Sequence, residues 1–211
     1  MELDSFLASP RWEILKIISE KPSSPIEIAE KTKTTVSFIS QQLKLLEAAQ
    51  IVSKEKTGAF EKGKPRNLFS ISKDICYSIL LTNGFGEKKN LDLEDYQKSI
   101  FKIWLLENKS SQFFLEEFIY KVKDNFKSIY AIFADIKKSN SSLIIFLEDK
   151  KIQQTIENIS KKQENSVKLE FYSLNEINNI SFSSLFPIYQ NPVFLKKIIE
   201  MKGGKQNEKN N

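Results

Sequence analysis

The chain has 211 residues, of which 40% are hydrophobic and 28% charged, and its formal net charge is +5. This length allows two small domains with separate cores, and no stretch approaches the roughly 20 apolar residues that a membrane span needs. Histidine is absent and Cys76 is the only cysteine, so one chain can form neither a disulfide nor a Cys/His zinc site, and we expect no metal and no cofactor.

The N-terminal segment indicates the compartment and the first helix. Met1 to Ala8 lacks the basic start and the long apolar run of a secretory signal, so we expect a cytoplasmic protein without a membrane partner. Trp12, Leu15 and Ile18 then follow helical spacing. This pattern predicts a supporting helix with Trp12 in the core.

The next stretch has the pattern of a helix-turn-helix with a wing. Ile28 and its apolar neighbours fit a short amphipathic helix, and a polar T-K-T-T turn follows. A second helix carries four apolar residues on one face: Val36, Ile39, Leu43 and Leu46. Ile51 and Val52 begin a strand, the loop from Gly58 to Arg66 forms a tip, and Leu68–Ile71 returns as the second strand.

These residues resemble a known family. The segment T-V-S-F-I-S-Q-Q-L-K-L-L-E-A-A-Q-I-V is similar to the recognition helix and following turn of ArsR-type winged-helix transcription regulators. G-K-P-R-N-L-F-S-I is similar to the G-R-P-x-x-Y-x-L wing strand of related regulators. The resemblance implies a homodimer that binds double-stranded DNA. Gln50 stands where the family usually has glycine at the left-handed helix end.

Positive charge is concentrated in this region. From Lys31 to Arg66 there are eight basic and three acidic residues, a local net charge of +5. Contacts with phosphates need such charge, although a solvated lysine-rich surface is the alternative. The predicted DNA-binding residues are Thr34, Thr35, Ser37, Phe38, Gln41, Gln42 and Lys44 on the helix, and Lys62, Lys64 and Arg66 at the wing tip.

Within this set, Ser37, Phe38 and Gln41 are the predicted base contacts, because the N-terminal part of a recognition helix enters the major groove. Lys44 can reach a phosphate, and the wing cations can follow the minor groove or the backbone. For Phe38 the alternative is a half-buried position against the supporting helix.

A connecting region follows the wing. Residues 75–81 form an apolar run that predicts a strand with Cys76 buried in it, and N-G-F-G predicts a turn. Residues 91–106 carry Tyr96, Ile100 and Trp104 at helical spacing. We interpret this helix as a dimerisation element, and a position in the core is the alternative.

The rest of the chain predicts a second domain of order α-β-β-α-β. The helix covers residues 113–126, and the strands are S-I-Y-A-I-F-A, S-L-I-I-F-L and V-K-L-E-F-Y-S-L, with a helix at 152–162 before the third. This order resembles the core of the minimal nucleotidyltransferase-like fold found behind helix-turn-helix domains in archaea and bacteria. The pairing suggests an archaeal source.

The resemblance implies that this domain is catalytically inactive. Active members have an F-G-S turn and an S-D-I-D-L strand, which supply a phosphate-binding turn and two metal-binding carboxylates. Here the turn reads Phe133-Ala134-Asp135, and Ser142 and Ile144 stand at the carboxylate positions. Two divalent metals for phosphoryl transfer require hard oxygen ligands. Sensing, dimerisation or protein contact would then be the role of the domain.

The predicted fold class is α+β, with an N-terminal winged helix-turn-helix domain and a small α/β domain. The predicted ranges are 1–73 for the winged helix, 74–110 for the connection, 111–201 for the α/β domain and 202–211 for a disordered tail. We expect a sequence-specific DNA-binding transcription regulator and no enzyme. The alternatives are a nucleotidyltransferase directed to nucleic acid and a winged helix that binds protein; the sequence does not indicate the effector.

Overall fold

The computed structural model describes residues 8–56, 67–135, 142–161 and 168–207, with side chains to Met201. The chain forms two compact units, Met1–Leu91 and Asp92–Asn211. The predicted domain boundaries and the disordered tail stay predictions. No helix in the described ranges is both long and apolar enough to cross a membrane.

Three helices open the first unit: α1 (Arg11–Glu20), α2 (Pro25–Thr32) and α3 (Val36–Ala48). A capping box starts α2. The backbone N–H of Glu27 donates to Ser24 Oγ at 3.3 Å, and the backbone N–H of Ser24 donates to Glu27 Oε2 at 2.7 Å. These bonds satisfy backbone donors that the first turn of a helix leaves unpaired.

The wing is an antiparallel hairpin of β1 (Val52–Lys56) and β2 (Asn67–Ile71). Val52 lies opposite Ile71, and Lys56 lies opposite Asn67. The helix-turn-helix and wing order therefore agrees with the prediction. The predicted tip from Gly58 to Arg66 lies outside the described residues.

A second hairpin follows, made of β3 (Cys76–Thr82) and β4 (Phe85–Leu91). Its two-residue loop ends in Gly84, whose φ of +82° favours glycine. The strand and turn were predicted, but β4 was not, because G-E-K-K-N has no apolar alternation. Cys76 is half-buried, and the prediction of a buried side chain was wrong, since the hairpin has no third strand beside it in the described chain.

One apolar cluster holds the first unit together. Its buried members are Ile14, Leu15, Ile18, Ile28, Ala29, Ile39, Leu43, Leu46, Ile51, Val52 and Phe69. Trp12 is 47% exposed and was wrongly predicted as core. It precedes Ile14 by two residues, about 200° around the helix, and so faces away from the cluster. Val36 is 43% exposed, because it begins α3 beyond the end of the cluster.

The second unit is built on a four-stranded sheet of order β7-β6-β5-β8. Its elements in chain order are α4 (Asp95–Trp104), α5 (Lys109–Val122), a 3₁₀ helix (Lys123–Ser128), β5 (Ile129–Asp135), β6 (Ser142–Leu147), α6 (Lys150–Lys161), β7 (Lys168–Tyr172), a second 3₁₀ helix (Leu174–Asn179), β8 (Phe186–Gln190) and α7 (Pro192–Asn207). β6 and β7 are parallel, whereas β5 pairs antiparallel with β6 and with β8.

The α-β-β-α-β order from α5 to β7 agrees with the prediction, and the chain is of the predicted α+β class. Both faces of the sheet are covered, which explains why β5 and β6 read as continuous apolar runs. Ile132 and Ile145 belong to the cluster that includes α4, α5 and α6. Phe133 and Phe146 belong to the opposite cluster, with Phe194 of α7. The nucleotidyltransferase-like ancestry of this unit stays a prediction.

Candidate nucleic-acid interface

The turn between α2 and α3 sets where the recognition helix begins. Lys33 adopts a left-handed conformation with φ +54°, and the N–H of Thr34 donates to the Ala29 carbonyl at 3.0 Å. This geometry ends α2 and reverses the chain. Thr35 then caps α3, because its Oγ1 accepts a hydrogen bond from the backbone N–H of Phe38 at 3.2 Å.

The cap assigns a structural task to one predicted DNA-binding residue. The Thr35 hydroxyl holds the first turn of α3, and the neighbouring Thr34 hydroxyl lies 2.8 Å from that of Thr32. Both threonines are exposed. Both also lie at the N-terminus of α3. A phosphate bound there would meet the positive end of the helix dipole.

Three predicted contacts form a stripe along α3. Ser37, Gln41 and Lys44 recur at spacings of four and three residues, which places them on one side of a helix. All three are exposed. The buried side of α3 carries Ile39, Leu43 and Leu46, about 180° away around the helix axis. The outer face thus presents a hydroxyl, an amide and an ammonium group in one row.

Phe38 and Gln42 lie on the flank of this stripe and are both half-buried. Phe38 packs partly against the core of the first unit, which is the alternative that its sequence position left open. Gln42 Oε1 accepts a hydrogen bond of 3.4 Å from Arg11 Nη1 of α1. That bond leaves the amide N–H₂ of Gln42 as the group that can donate to another acceptor.

The charges around α3 fall into two groups. Lys31 Nζ lies 3.7 Å from Glu20 Oε2, so its charge is partly compensated. Four exposed lysines have no ion pair among the described residues: Lys33, Lys44, Lys54 and Lys56. They are available for phosphate contacts. The predicted wing-tip contacts Lys62, Lys64 and Arg66 lie outside the described residues.

The structure adds Lys33 and Val36 to the surface at the start of α3. Both are exposed, one in the turn and one in the first helical position. For Lys33 the sequence held a signal, because this residue lies in the polar T-K-T-T turn and is one of the eight basic residues of the region. Val36 was assigned to the core from its spacing. An exposed methyl-bearing side chain at this position can contact a thymine methyl group.

In the second unit, two residues that were compared with carboxylate positions in the sequence, Ser142 and Ile144, are buried. Ser142 and Ile144 both lie in β6, and Ser142 pairs in register with Asp135 at the end of β5. Asp135 is buried too, and the Ser142 hydroxyl has no hydrogen-bond partner within the described part of the chain. Across the same part, no group of three or more His, Cys, Asp or Glu side chains could hold a metal ion.

Comparison with known families gives one match in the first unit. Residues 9–54 match the family described as bacterial regulatory protein, arsR family. The match covers α1, α2, α3 and the first residues of β1, and it therefore includes the cap, the turn and the exposed stripe. A comparison with curated proteins gave no match. The similarity to the ArsR helix-turn-helix indicates a DNA-binding transcription regulator.

Proposed function

We propose that this protein is a sequence-specific DNA-binding transcription regulator of archaeal origin. It acts as a homodimer in the cytoplasm. Its first unit reads an operator, and its second unit serves sensing or dimerisation and performs no catalysis. The observation that carries the proposal is the row of Ser37, Gln41 and Lys44 on the side of α3 that faces away from the core.

This row suits the major groove in chemistry and in position. The groove admits an α-helix, and the N-terminal residues of that helix contact base edges. Ser37 can bond to any of several base edges, and Gln41 can pair with the N6 and N7 atoms of adenine. Lys44, about two turns from the start of α3, supplies a phosphate contact, which positions the helix without specifying sequence.

Charge supports DNA over a protein as the partner of this surface. Lys33 lies at the start of α3, Lys44 lies along it, and neither forms an ion pair within the described ranges. Lys54 and Lys56 extend the positive charge onto β1. Neutralising phosphates with such groups releases counterions and produces strong binding at low salt.

A non-catalytic role for the second unit is supported by the residues at two positions. Ser142 and Ile144 carry no carboxylate, and both side chains are buried in the sheet. Phosphoryl transfer at paired divalent metals would need hard oxygen ligands at these positions. Pairing of two chains would instead present two recognition helices to half-sites one DNA turn apart.

The test is fluorescence anisotropy of the full chain with two labelled duplexes, one from immediately upstream of its own gene and one scrambled. Each duplex is titrated at several salt concentrations. We expect tighter binding to the upstream duplex, and this preference should persist as salt rises. The variant Gln41→Ala should reduce the preference by about 1–3 kcal/mol, the discrimination of one bidentate base contact.

A matched control is Lys196→Gln, which changes an exposed lysine of α7 in the other unit. It should leave both affinities unchanged. Absence of binding to either duplex at low salt would overturn DNA recognition and favour a protein partner. Equal affinity for both duplexes at every salt concentration would overturn sequence specificity.

A further inference from the structure

The β3–β4 hairpin exposes large apolar side chains that the proposed function does not use. Ile79 is 64% exposed, Leu80 54%, Leu81 82% and Phe85 51%. Four such side chains amount to roughly 400 Å² of apolar surface, about half of what one partner contributes to a standard protein interface.

The exposed side chains lie on both faces of the hairpin. Residues directly opposite in an antiparallel pair share a face, and Leu80 and Glu87 are opposite one another, as are Ile79 and Lys88. Leu80 and Phe85 therefore lie on one face, and Ile79 and Leu81 lie on the other. A partner that packs on one face of the hairpin would cover only two of the four exposed side chains. A strand added at the edge of the hairpin would place new side chains beside β3 on both faces.

The two edges of the hairpin differ in charge. β3 reads C-Y-S-I-L-L-T and has no charged residue, whereas β4 includes Glu87, Lys88 and Lys89. Charged residues, lysine above all, protect an edge strand from pairing with another chain. In the described part of the chain β3 pairs with β4 alone. The uncharged edge of β3 is the one suited to a further strand.

Hairpin geometry identifies which backbone groups face that edge. In a two-residue hairpin, the residues that flank the loop, Thr82 and Phe85, form a hydrogen-bonded pair, and hydrogen-bonded pairs then alternate along the ladder. The N–H and C=O groups of Tyr77, Ile79 and Leu81 consequently point away from β4. These three residues also share one face of the sheet.

We propose that β3 is the dimerisation strand, and that it pairs antiparallel with β3 of a second copy around Ile79. Tyr77 then lies opposite Leu81 of the partner subunit, and Ile79 lies opposite Ile79 of the partner subunit. Aromatic–aliphatic and β-branched pairs of this kind stabilise adjacent strands. The contact is self-complementary, as a two-fold interface requires, and it brings no charge to the shared edge.

A second copy is suited to this edge, because one sequence supplies both halves of a self-complementary contact. The inference rests on the homodimer in the proposed function and assigns a surface to it. It places the contact on the β3–β4 hairpin of the first unit and not on α4, the helix that sequence spacing had indicated. Of the two roles proposed for the second unit, sensing then remains.

Sedimentation velocity of the full chain without DNA, over a wide concentration range, tests the pairing. We expect a monomer–dimer equilibrium for the natural chain and a monomer for Ile79→Lys. Ile199→Lys makes the same substitution at an exposed isoleucine of α7 and should leave the dimer intact. Circular dichroism of both variants should match the natural chain, because both side chains are already exposed.

A cross-linking experiment tests independently whether residue 79 of one β3 strand lies opposite residue 79 of the partner's β3. In a Cys76→Ser background, Ile79→Cys should be joined into a covalent dimer by a short bis-maleimide, whereas Ile199→Cys should not. A natural chain that stays monomeric overturns the proposal. A dimer that survives Ile79→Lys overturns this surface but leaves the homodimer in place. A monomeric chain would also remove the homodimer from the proposed function, whereas DNA binding, measured separately by anisotropy, decides the DNA-binding part whichever result is obtained here.

Discussion

The backbone N–H of Ile51 donates to the Leu46 carbonyl at 3.0 Å, across the end of α3, and both side chains are buried. Between them Gln50 has a φ of +58°, and its N–H donates to the Glu47 carbonyl at 2.9 Å. This pair of hydrogen bonds is a Schellman motif, in which glycine is the usual left-handed residue. A glutamine here imposes backbone strain at the point where the recognition helix meets the wing.

Gln50→Gly should therefore stabilise the first unit. Left-handed backbone costs a residue with a side chain roughly 1–2 kcal/mol, and glycine loses about 0.5–1 kcal/mol of that gain through its more flexible unfolded state. We expect a net stabilisation of about 0.5–1 kcal/mol, measured by urea unfolding. Trp12 lies in the first unit and Trp104 in the second, so fluorescence of a Trp104→Phe chain follows the first unit alone.

The neighbouring residue provides the control. Ala49 has a φ of −82°, which any residue adopts, so Ala49→Gly adds flexibility without relieving strain. It should destabilise the unit by up to about 1 kcal/mol. Equal shifts of the same sign in the two variants would refute the explanation from backbone strain.

Glu27 makes the first unit sensitive to acid. Burial raises the pKa of Glu27, but the Ser24 backbone N–H, the Ser24 hydroxyl and the charge of Lys21 together outweigh it and lower the pKa below its ordinary value. As pH falls, the Glu27 carboxylate therefore binds a proton at a higher pH in the unfolded chain than in the folded chain. The stabilisation is present above about pH 4.3, the ordinary pKa of glutamate, and is lost as pH falls through the lowered pKa.

Glu27→Gln should consequently destabilise the unit at neutral pH and much less at low pH. The measurement is urea unfolding of a Trp104→Phe chain, followed by Trp12 fluorescence, at a series of pH values. Glu13→Gln makes the same charge change at an exposed carboxylate that pairs with Lys16 at 2.8 Å and forms no cap. A Glu27→Gln deficit that stays constant from neutral to acidic pH would contradict the assignment.

Lys44→Gln should weaken binding to every duplex by a similar factor. Lys44 is exposed and has no ion pair among the described residues, so the fold should not depend on it. Loss of one phosphate contact should make the slope of log affinity against log salt shallower by about 1. Anisotropy titrations of the upstream and scrambled duplexes give this slope. A selective loss for the upstream duplex would instead make Lys44 a base contact.

The helix-turn-helix was predictable because its core residues follow the helical period. Ile39, Leu43 and Leu46 define the buried side of α3, and that side fixes the outer row of Ser37, Gln41 and Lys44. The α-β-β-α-β order from α5 to β7 was predictable because β5 and β6 are apolar on both faces, whereas the fourth strand of the sheet, β8, was not predicted. In each case the local pattern and the burial agree.

Features that depend on tertiary position were not predictable. Val36 is apolar and fits the helical spacing, yet it is exposed, because it begins α3 beyond the end of the cluster. Trp12 is spaced by three from Leu15, yet it lies on the side of α1 that faces away from the cluster. The bond from Arg11 to Gln42 joins residues 31 positions apart, and no local pattern indicates it. β4 was missed because a strand that is exposed on both faces has no reason to alternate polar and apolar residues.

Substitution of Phe146 tests how much one core cluster of the second unit contributes to stability. Its side chain is fully buried, and its ring centroid lies 4.9 Å from that of Phe194 and 5.8 Å from that of Tyr172. Phe146→Ala removes these contacts and leaves a cavity, which typically costs about 3–5 kcal/mol. We expect this loss in the urea unfolding of a Trp12→Phe chain, in which Trp104 follows the second unit.

Phe146→Leu keeps most of the volume and should cost much less, so the series separates packing from loss of the whole fold. The transition of the first unit, followed by Trp12 in a Trp104→Phe chain, should stay where it is, because Phe146 belongs to a core of the second unit alone. A parallel shift of both transitions would show that the two units unfold together. No change in either transition would mean that the Phe146 cluster contributes nothing to stability.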